Sequence, residues 1–465
     1  MGRAAPAVAP GDRPAWWLEE APPDPPGEPL AGTVDADVAI VGGGYTGLWT
    51  ALALKERRPA LEVALVEAEF CGFGPSGRNG GFLESFWPAL GRLRGRLGDE
   101  GALAVARASA GVFDAVRALP DDVWLREGGM LMVSASPAQD AAVEAAVRTA
   151  AALGVPEQAV PLTAEEVAAR CRSPRFRAGV LFPAVATVQP ARLVRALRRA
   201  ALGRGVRIFE RSRARDVRPG LVRTSGGSVR AGEVVLATNA WFTGRREARR
   251  RLTNFGSYVV LTEPLPQRLR ELGWTGGEAI VDGRMFLHYF RTTEDGRVLM
   301  GSGSGPIGFG GRVDRRFTHD AATVGRAEAA LARLLPGLGE ARIEQAWGGP
   351  IDVSADHLPF FGSVPGGHVH YGAGYSGNGV GPSWLGGRIL ASLALGLEDE
   401  WSSLPLVTRR VPSFPPEPVR RLGGGLVRWG ILGVEEADDR GVRPPPGARA
   451  IASLPRRFGL RVGTR

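Results

Sequence analysis

Residues 37–67 read DVAIVGGGYTGLWTALALKERRPALEVALVE. A Val/Ile-rich strand runs into a glycine turn, a helix follows to about Arg57, and Pro59 opens a loop to a second strand ending at Glu67. This is one βαβ unit, and its parts have physical reasons. Gly42 permits the tight turn, Gly44 lets the backbone approach a pyrophosphate, and Gly47 lets helix and strand pack closely. The helix N-terminus favours phosphate charge. Glu67, 20 residues after Gly47, stands where its carboxylate accepts hydrogen bonds from ribose hydroxyls and repels a 2′-phosphate.

The glycine spacing alone is weak evidence. With 66 glycines in 465 residues, about one GxGxxG match is expected by chance, and four occur, beginning at Gly42, Gly72, Gly303 and Gly372. Only the first follows a Val/Ile strand, opens a helix, and is followed by a second strand ending in an acidic residue. That context makes it the dinucleotide site.

Composition narrows the rest. A chain of 465 residues, 44% hydrophobic, can bury substantial cores and amounts to about three domains' worth of length. The net charge of +10 raises nucleic acid or an anionic membrane as partners, yet Lys55 is the only lysine and the arginines are scattered among acidic residues. The surface reads as solvated, with no nucleic-acid partner. Cys71 and Cys171 form no CxxC pair and no disulfide framework, which fits a reducing compartment, so the cytoplasm is expected. The N-terminal segment lacks a leader pattern, and no stretch approaches 18 uninterrupted apolar residues.

Outward from the βαβ unit, residues 1–33 read as an extended lead-in that docks back, carrying Trp16 and Trp17. Helices are predicted at about 98–119, 137–153, 164–171 (Thr163 and Glu166 fitting a capping box) and from Pro190 to about Gly205. Strands then dominate: GVRIFE, EVVLAT, SYVVLTE, MFLHYFR and RVLMGS, the last two joined through Glu294, Asp295 and Gly296. HVHYGAGYSGNGVG and a helix to about Leu395 form a second α/β block; beyond Trp401 the chain reads as irregular, with a short helix around Leu426 to Leu432. The order predicts an α/β fold in which a nucleotide-binding domain is built from separated pieces (34–95, 186–250 and 350–400). A strand-rich domain (96–185 and 251–349) is inserted between them, and 401–465 forms a C-terminal extension.

The segment CGFGPSGRNGGF beyond Glu67 places small residues and Arg78 where a backbone-lined pocket holds more of a cofactor. Together with GGGYTGLWTA, ATVQPARLVRAL (186–197), VVLATNAW (234–241) and GYSGNGV (374–380), it resembles the FAD-dependent D-amino-acid oxidase and sarcosine oxidase superfamily. The SGRNGG form at 76–81 is most similar to the gamma-glutamylputrescine oxidoreductase-like branch. The resemblance implies a Rossmann-type FAD-binding domain made of discontinuous segments, and a substrate domain with a large antiparallel sheet closing over the flavin. It implies cofactor contacts from Gly42, Gly44, Tyr45, Thr46, Gly47, Glu67 and Ala68, then Gly74, Ser76, Gly77, Arg78, Asn79 and Gly80. Val217, Ala237 and Thr238 follow, and Gly374, Gly377, Asn378, Gly379 and Val380 approach the flavin ring from a helix N-terminus that stabilises negative charge on reduced flavin.

The implied reaction oxidises the carbon–nitrogen bond of a small-molecule amine or amino acid, with a hydride equivalent passing to flavin and the imine hydrolysing afterwards. The cofactor supplies most of that chemistry, so no catalytic triad is required. None is found, nor any GK[ST], HExxH or GxSxG motif, and His368 and His370 read as sheet residues, not metal ligands.

Three departures from the sarcosine-oxidase pattern stand out. No cysteine follows Cys171, the late region reads WGGPID, and Arg78 and Asn79 stand where another branch has histidine, so FAD is expected to be non-covalent. The strand RVLMGSG lacks the lysine that promotes reaction with oxygen in those relatives, which leaves oxidase and dehydrogenase both open. Gly381 replaces the lysine that binds a substrate carboxylate, which favours an amine or substituted amino acid. Arg78, Tyr258, His288, Tyr289 and Arg291 are the candidate catalytic and substrate-pocket residues, since strands over a flavin project alternate side chains into the cavity. A pyridine-nucleotide dehydrogenase, a non-catalytic flavin-binding or assembly protein and a membrane-docked dehydrogenase are the competing readings.

Overall fold

The computed structural model describes residues 15–457. At its centre the strand Gly32–Val41 pairs in parallel with Val63–Val66 on one side and Gly227–Leu236 on the other. The sheet extends in the order Phe360–Ser363, Val369–Ala373, Gly227–Leu236, Gly32–Val41, Val63–Val66, Arg207–Phe209. Neighbours in space therefore come from three separated parts of the chain, with the glycine turn at the C-terminal end of the central strand, where ligands of such sheets bind. Burial follows the two-sided covering of a parallel sheet: Val38 to Val41 and Val63 to Val66 are all buried.

Two helices hold the turn from either side. Tyr45–Arg57 packs against Pro382–Ala394 so closely that a Cβ on Gly387 would lie 2.7 Å from the Trp49 carbonyl carbon. Pro190–Gly203 begins where Gln189 caps it, its side chain accepting from the Arg192 amide at 2.8 Å. Lys55 closes the end of the first helix by donating to the Pro59 and Leu61 carbonyls, remote from any cofactor chemistry.

The second sheet runs Ile343–Ser354, Leu252–Thr262, Val298–Ser302, His288–Thr292, Ala279–Asp282, Met130–Val133, Gly179–Phe182, Val160–Leu162. It is antiparallel except where Ala279–Asp282 meets Met130–Val133. Its first strand runs through residue 349, the expected edge of the inserted domain, and stays paired with Leu252–Thr262 as far as Ser354.

Three segments differ from expectation. The helix predicted over 98–119 starts earlier, at Leu90, is broken at Gly98 (φ 73°), and continues as Val112–Arg117 after Ser109. The lead-in carries a short helix, Trp16–Glu20. Beyond Trp401, where the sequence reads as an irregular tail, the short helix Pro405–Thr408 is followed by two longer ones, Val419–Asp439 and Pro446–Arg457. The glycine run 423–425 lowers helix propensity there, and tertiary anchors override it: buried Ile431, and Glu435, which accepts from the Met285 and Phe286 amides. No helix among the described residues is long and apolar enough to cross a membrane.

Candidate active site

The central strand ends in a cleft of about 360 Å³ lined by Gly42, Gly44, Tyr45 and Thr46, Glu67 and Ala68, Gly74 and Ser76, Val217, Ala237 and Thr238. The glycines are tight: a Cβ on Gly42 would meet the Ala237 carbonyl oxygen at 2.5 Å, one on Gly44 the Ser76 Oγ at 2.9 Å, and one on Gly47 the Gly42 carbonyl oxygen at 2.0 Å. Gly42 also needs its φ of 113°. Gly47 itself does not line the cleft; it lets helix and strand touch.

Glu67 is held in place, its Oε2 accepting from the Gly43 amide at 2.7 Å and its Oε1 from the Glu69 amide at 3.0 Å. Burial raises its carboxyl above the ordinary range, against the pull of these backbone donors. A carboxylate has about four lone-pair sites, so acceptor capacity remains toward the cleft.

A second cavity, of about 520 Å³, adjoins the first. Pro75, Asn79, Ile351, Gly377 and Val380 line both, so the two meet at the SGRNGG loop and the GYSGNGV turn. Gly379 faces the first cavity and Asn378, Gly80 and Arg78 the second; Gly77 and Gly374 line neither and serve the backbone. A Cβ on Gly77 would meet the Gly72 carbonyl oxygen at 2.3 Å, while Gly374, at φ 83°, donates its amide to Asp352.

The loops are cross-braced by groups outside the set of predicted site residues. Asp352, fully buried, accepts from the Gly374 amide (Oδ2, 2.5 Å) and from Asn239 Nδ2 (Oδ1, 3.0 Å), and its backbone carbonyl accepts from Ser376. It thereby ties WGGPID, ATNAW and GYSGNGV together. Burial pushes its carboxyl up to about 7. Trp17, with no exposed surface, donates its indole N–H to the Asn79 carbonyl at 2.9 Å and meets Trp347 edge-on, so the lead-in props the SGRNGG loop. Trp347 in turn donates to the Arg78 carbonyl at 2.8 Å.

Of the five candidate catalytic residues, Arg78 and Tyr289 line the second cavity and three do not. Arg78 donates Nε–H to the Phe73 carbonyl at 2.8 Å and has no ion-pair partner among the described residues; burial lowers its pKa from the ordinary value. The Tyr289 hydroxyl shares a hydrogen bond with Ser257 at 2.8 Å, and its ring meets Phe82 edge-on.

Tyr258 points the other way. It is buried and donates to the Arg316 carbonyl, while its neighbours Ser257 and Val259 take the cavity face. His288 also faces away, its Nδ1 2.7 Å from Asp282 Oδ2, bordering a separate cavity beneath the C-terminal helix Val419–Asp439. Arg291 shares a sheet face with Tyr289 but is walled off. Its Nη1 donates to the Gly81 and Val188 carbonyls at 3.2 and 2.6 Å, its guanidinium lies 5.5 Å from the Trp17 ring, and burial pushes its pKa down to about 9. It is a structural clamp and cannot reach a substrate carboxylate in this cavity.

The position that lacks the carboxylate-binding lysine, and the strand that lacks the other, are both crowded. A Cβ on Gly381 would lie 1.8 Å from the Glu84 carbonyl oxygen, and one on Gly301 2.0 Å from the Tyr289 ring. His368 and His370 both pair with Glu233, at 2.8 and 2.9 Å. No group of three or more metal-ligating side chains gathers among the described residues.

A glycine cradle, a poised acidic residue and a second chamber opening from the same cleft suit a dinucleotide that carries a reactive ring. Residues 37–393 match the family model for FAD dependent oxidoreductases. This chain belongs to that family.

The FAD-dependent oxidoreductase is 29% identical over 411 residues to gamma-glutamylputrescine oxidoreductase of Escherichia coli, covering 84% of this chain and 90% of that one. It is 26% identical over 388 residues to the probable oxidoreductase OrdL of Haemophilus influenzae, covering 80% and 86%. Both fall in the branch that the SGRNGG form indicated. Among solved structures, glycine oxidase from Geobacillus kaustophilus superposes with a TM-score of 0.66 at 23% identity, covering 81% of this chain and 99% of that one. The chain is thus an FAD-dependent enzyme of mixed α/β architecture with a Rossmann-like cofactor domain.

Proposed function

We propose that this enzyme oxidises the carbon–nitrogen bond of an amine or substituted amino acid, with FAD held non-covalently. The observation that carries the reading is the junction of the two cavities. The cofactor cleft opens, through Asn79, Ile351, Gly377 and Val380, into a chamber walled largely by Phe82, Trp87, Met130, Met132 and Tyr289. The curated relative from Escherichia coli carries an amine substrate in its name, which supports the class.

Bound FAD supplies the two-electron oxidant of this chemistry. The turn Gly42–Gly47 and the helix N-terminus behind it would hold the pyrophosphate, and Glu67 the ribose. Gly377 to Val380, rigidified by Asp352, would hold the ring, with Arg78 as the nearby cation. The apolar walls exclude water and orient the amine carbon, which is most of what a hydride transfer asks of a protein. No cysteine stands at the junction, since Cys71 is buried behind Gly43 and Cys171 lies in the second domain's core.

Tyr289 occupies the space beside Gly301 on the strand Val298–Ser302, so no cation reaches the cavity from there. That favours electron transfer to an acceptor other than oxygen. The test is an anaerobic screen of purified holoenzyme with amines, N-methyl amino acids, D-amino acids and acylated polyamines, followed by air. Bleaching by an amine, slow recolouring in air, and flavin that leaves the protein on acid precipitation are the expected results. No bleaching by any carbon–nitrogen donor would refute the reaction class.

A further inference from the structure

One carboxylate in the substrate chamber has no structural employment. Glu84 lies on the short strand Phe82–Glu84, where side chains alternate: Leu83 is fully buried in the core, and Phe82 and Glu84 line the chamber. The Glu84 carboxylate makes no hydrogen bond and no ion pair with any described residue. The chamber's other carboxylate, Asp282, is by contrast consumed by His288, which meets it with both its backbone amide and its ring.

The backbone of Glu84 also fixes its location. Its carbonyl oxygen abuts Gly381, the residue that follows the turn Gly377–Val380 shared by both cavities. The Glu84 backbone therefore stands beside that turn, and its side chain lines the chamber that meets the cofactor cleft there. Desolvation there pushes its carboxyl up to about 7, with the charge of Arg92 pulling the other way. A half-buried carboxylate that no protein group pairs is poorly solvated, and a ligand that brings a cation offsets that cost on binding. Phe82, Trp87 and Tyr289 line the same chamber, and their ring faces also attract a cation.

We propose that Glu84 is the cation-binding residue of the substrate chamber: its carboxylate receives the substrate's ammonium group, and the chamber selects an amine carried on an apolar chain. This rests on the carbon–nitrogen reading above and adds the group that recognises the nitrogen. Arg291 is walled off and Gly381 carries no side chain, so the charged lining of the chamber, apart from Asp282, is this acid with Arg78 and Arg92.

The test uses equilibrium binding to oxidised holoenzyme, read from the flavin absorbance, with amines that have no α-hydrogen and cannot be oxidised. tert-Amylamine is the probe and tert-amyl alcohol its neutral isostere. Wild type is expected to bind the amine about tenfold more tightly than the alcohol, a difference equivalent to about 1.4 kcal/mol. Glu84→Gln is expected to lose that preference while holding the alcohol within about twofold, and Glu84→Asp to recover part of it.

Equal binding of amine and alcohol by wild type overturns the proposal without reference to any variant. So does a Glu84→Gln protein that keeps the amine preference, or one that loses both ligands equally. Failure of the reaction class shows differently: the amine preference persists and depends on Glu84, yet no carbon–nitrogen donor bleaches the flavin.

Discussion

Replacing Asp352 by Asn should reverse the sign of its effect on stability with pH. The carboxylate accepts two hydrogen bonds from donors, the Gly374 amide and Asn239 Nδ2. An amide offers one oxygen, so one of those donors must face an NH₂ group, which costs about 1–3 kcal/mol at any pH. Against this stands the cost of a buried charge. Asp352 titrates at about 7 in the fold and at 3.8 ordinarily, because burial disfavours the anion. Between those values the unfolded chain binds fewer protons than the folded one, so stability is highest below the unfolded value and falls as pH rises through the folded one.

Integrated from about pH 5 to about pH 8, the wild type loses about 2.5 kcal/mol that Asp352→Asn does not lose. The variant should therefore be less stable at about pH 5, and equal or more stable at about pH 8. Urea unfolding of FAD-saturated protein, followed by tryptophan fluorescence, reads this directly. A stability difference that is the same at both pH values, within about 0.5 kcal/mol, would show that the buried carboxyl carries no raised pKa and would refute the reasoning.

Two further outcomes follow from contacts at the site. Gly381→Ala should yield little folded, yellow protein, because its Cβ would fall 1.8 Å from the Glu84 carbonyl oxygen, a backbone atom that cannot step aside; normal flavin content in this variant would contradict the contact. Trp17→Ala should cost about 3–5 kcal/mol in unfolding free energy. Trp17→Phe, which keeps the packing and drops the bond to Asn79, should cost about 1 kcal/mol and mainly weaken FAD retention on dilution.

The cofactor half of the site was legible because its signal is local. A strand, three spaced glycines, a helix start and an acidic strand end lie within 37–67, and each answers to one physical requirement. The substrate half was not, because it depends on which way a strand faces. Tyr258 and His288 failed by one step of a period of two: Ser257 and Val259, and Tyr289, take the cavity face instead. Arg291 has the right phase, but the lead-in helix Trp16–Glu20 and Gly81 cover it, a contact between residues far apart in sequence. The same strand alternation, applied to FLE after the SGRNGG loop, would have found Glu84. Asp352 left no signal, since its partners Asn239 and Gly374 become neighbours only when the separated segments assemble.

Trp17 gives the molecule an order of completion. Its seat is built from Asn79, Arg291 and Trp347, with Gln189 donating to its carbonyl, so Trp17 has nowhere to settle until the strand that carries Trp347, some three hundred residues later in the chain, has emerged. The loop it props is the floor between the two chambers. An emerging chain can thus form its central βαβ unit before the rest, but it cannot finish the flavin's bed until the second sheet is in place, which ties cofactor loading to the assembly of that sheet.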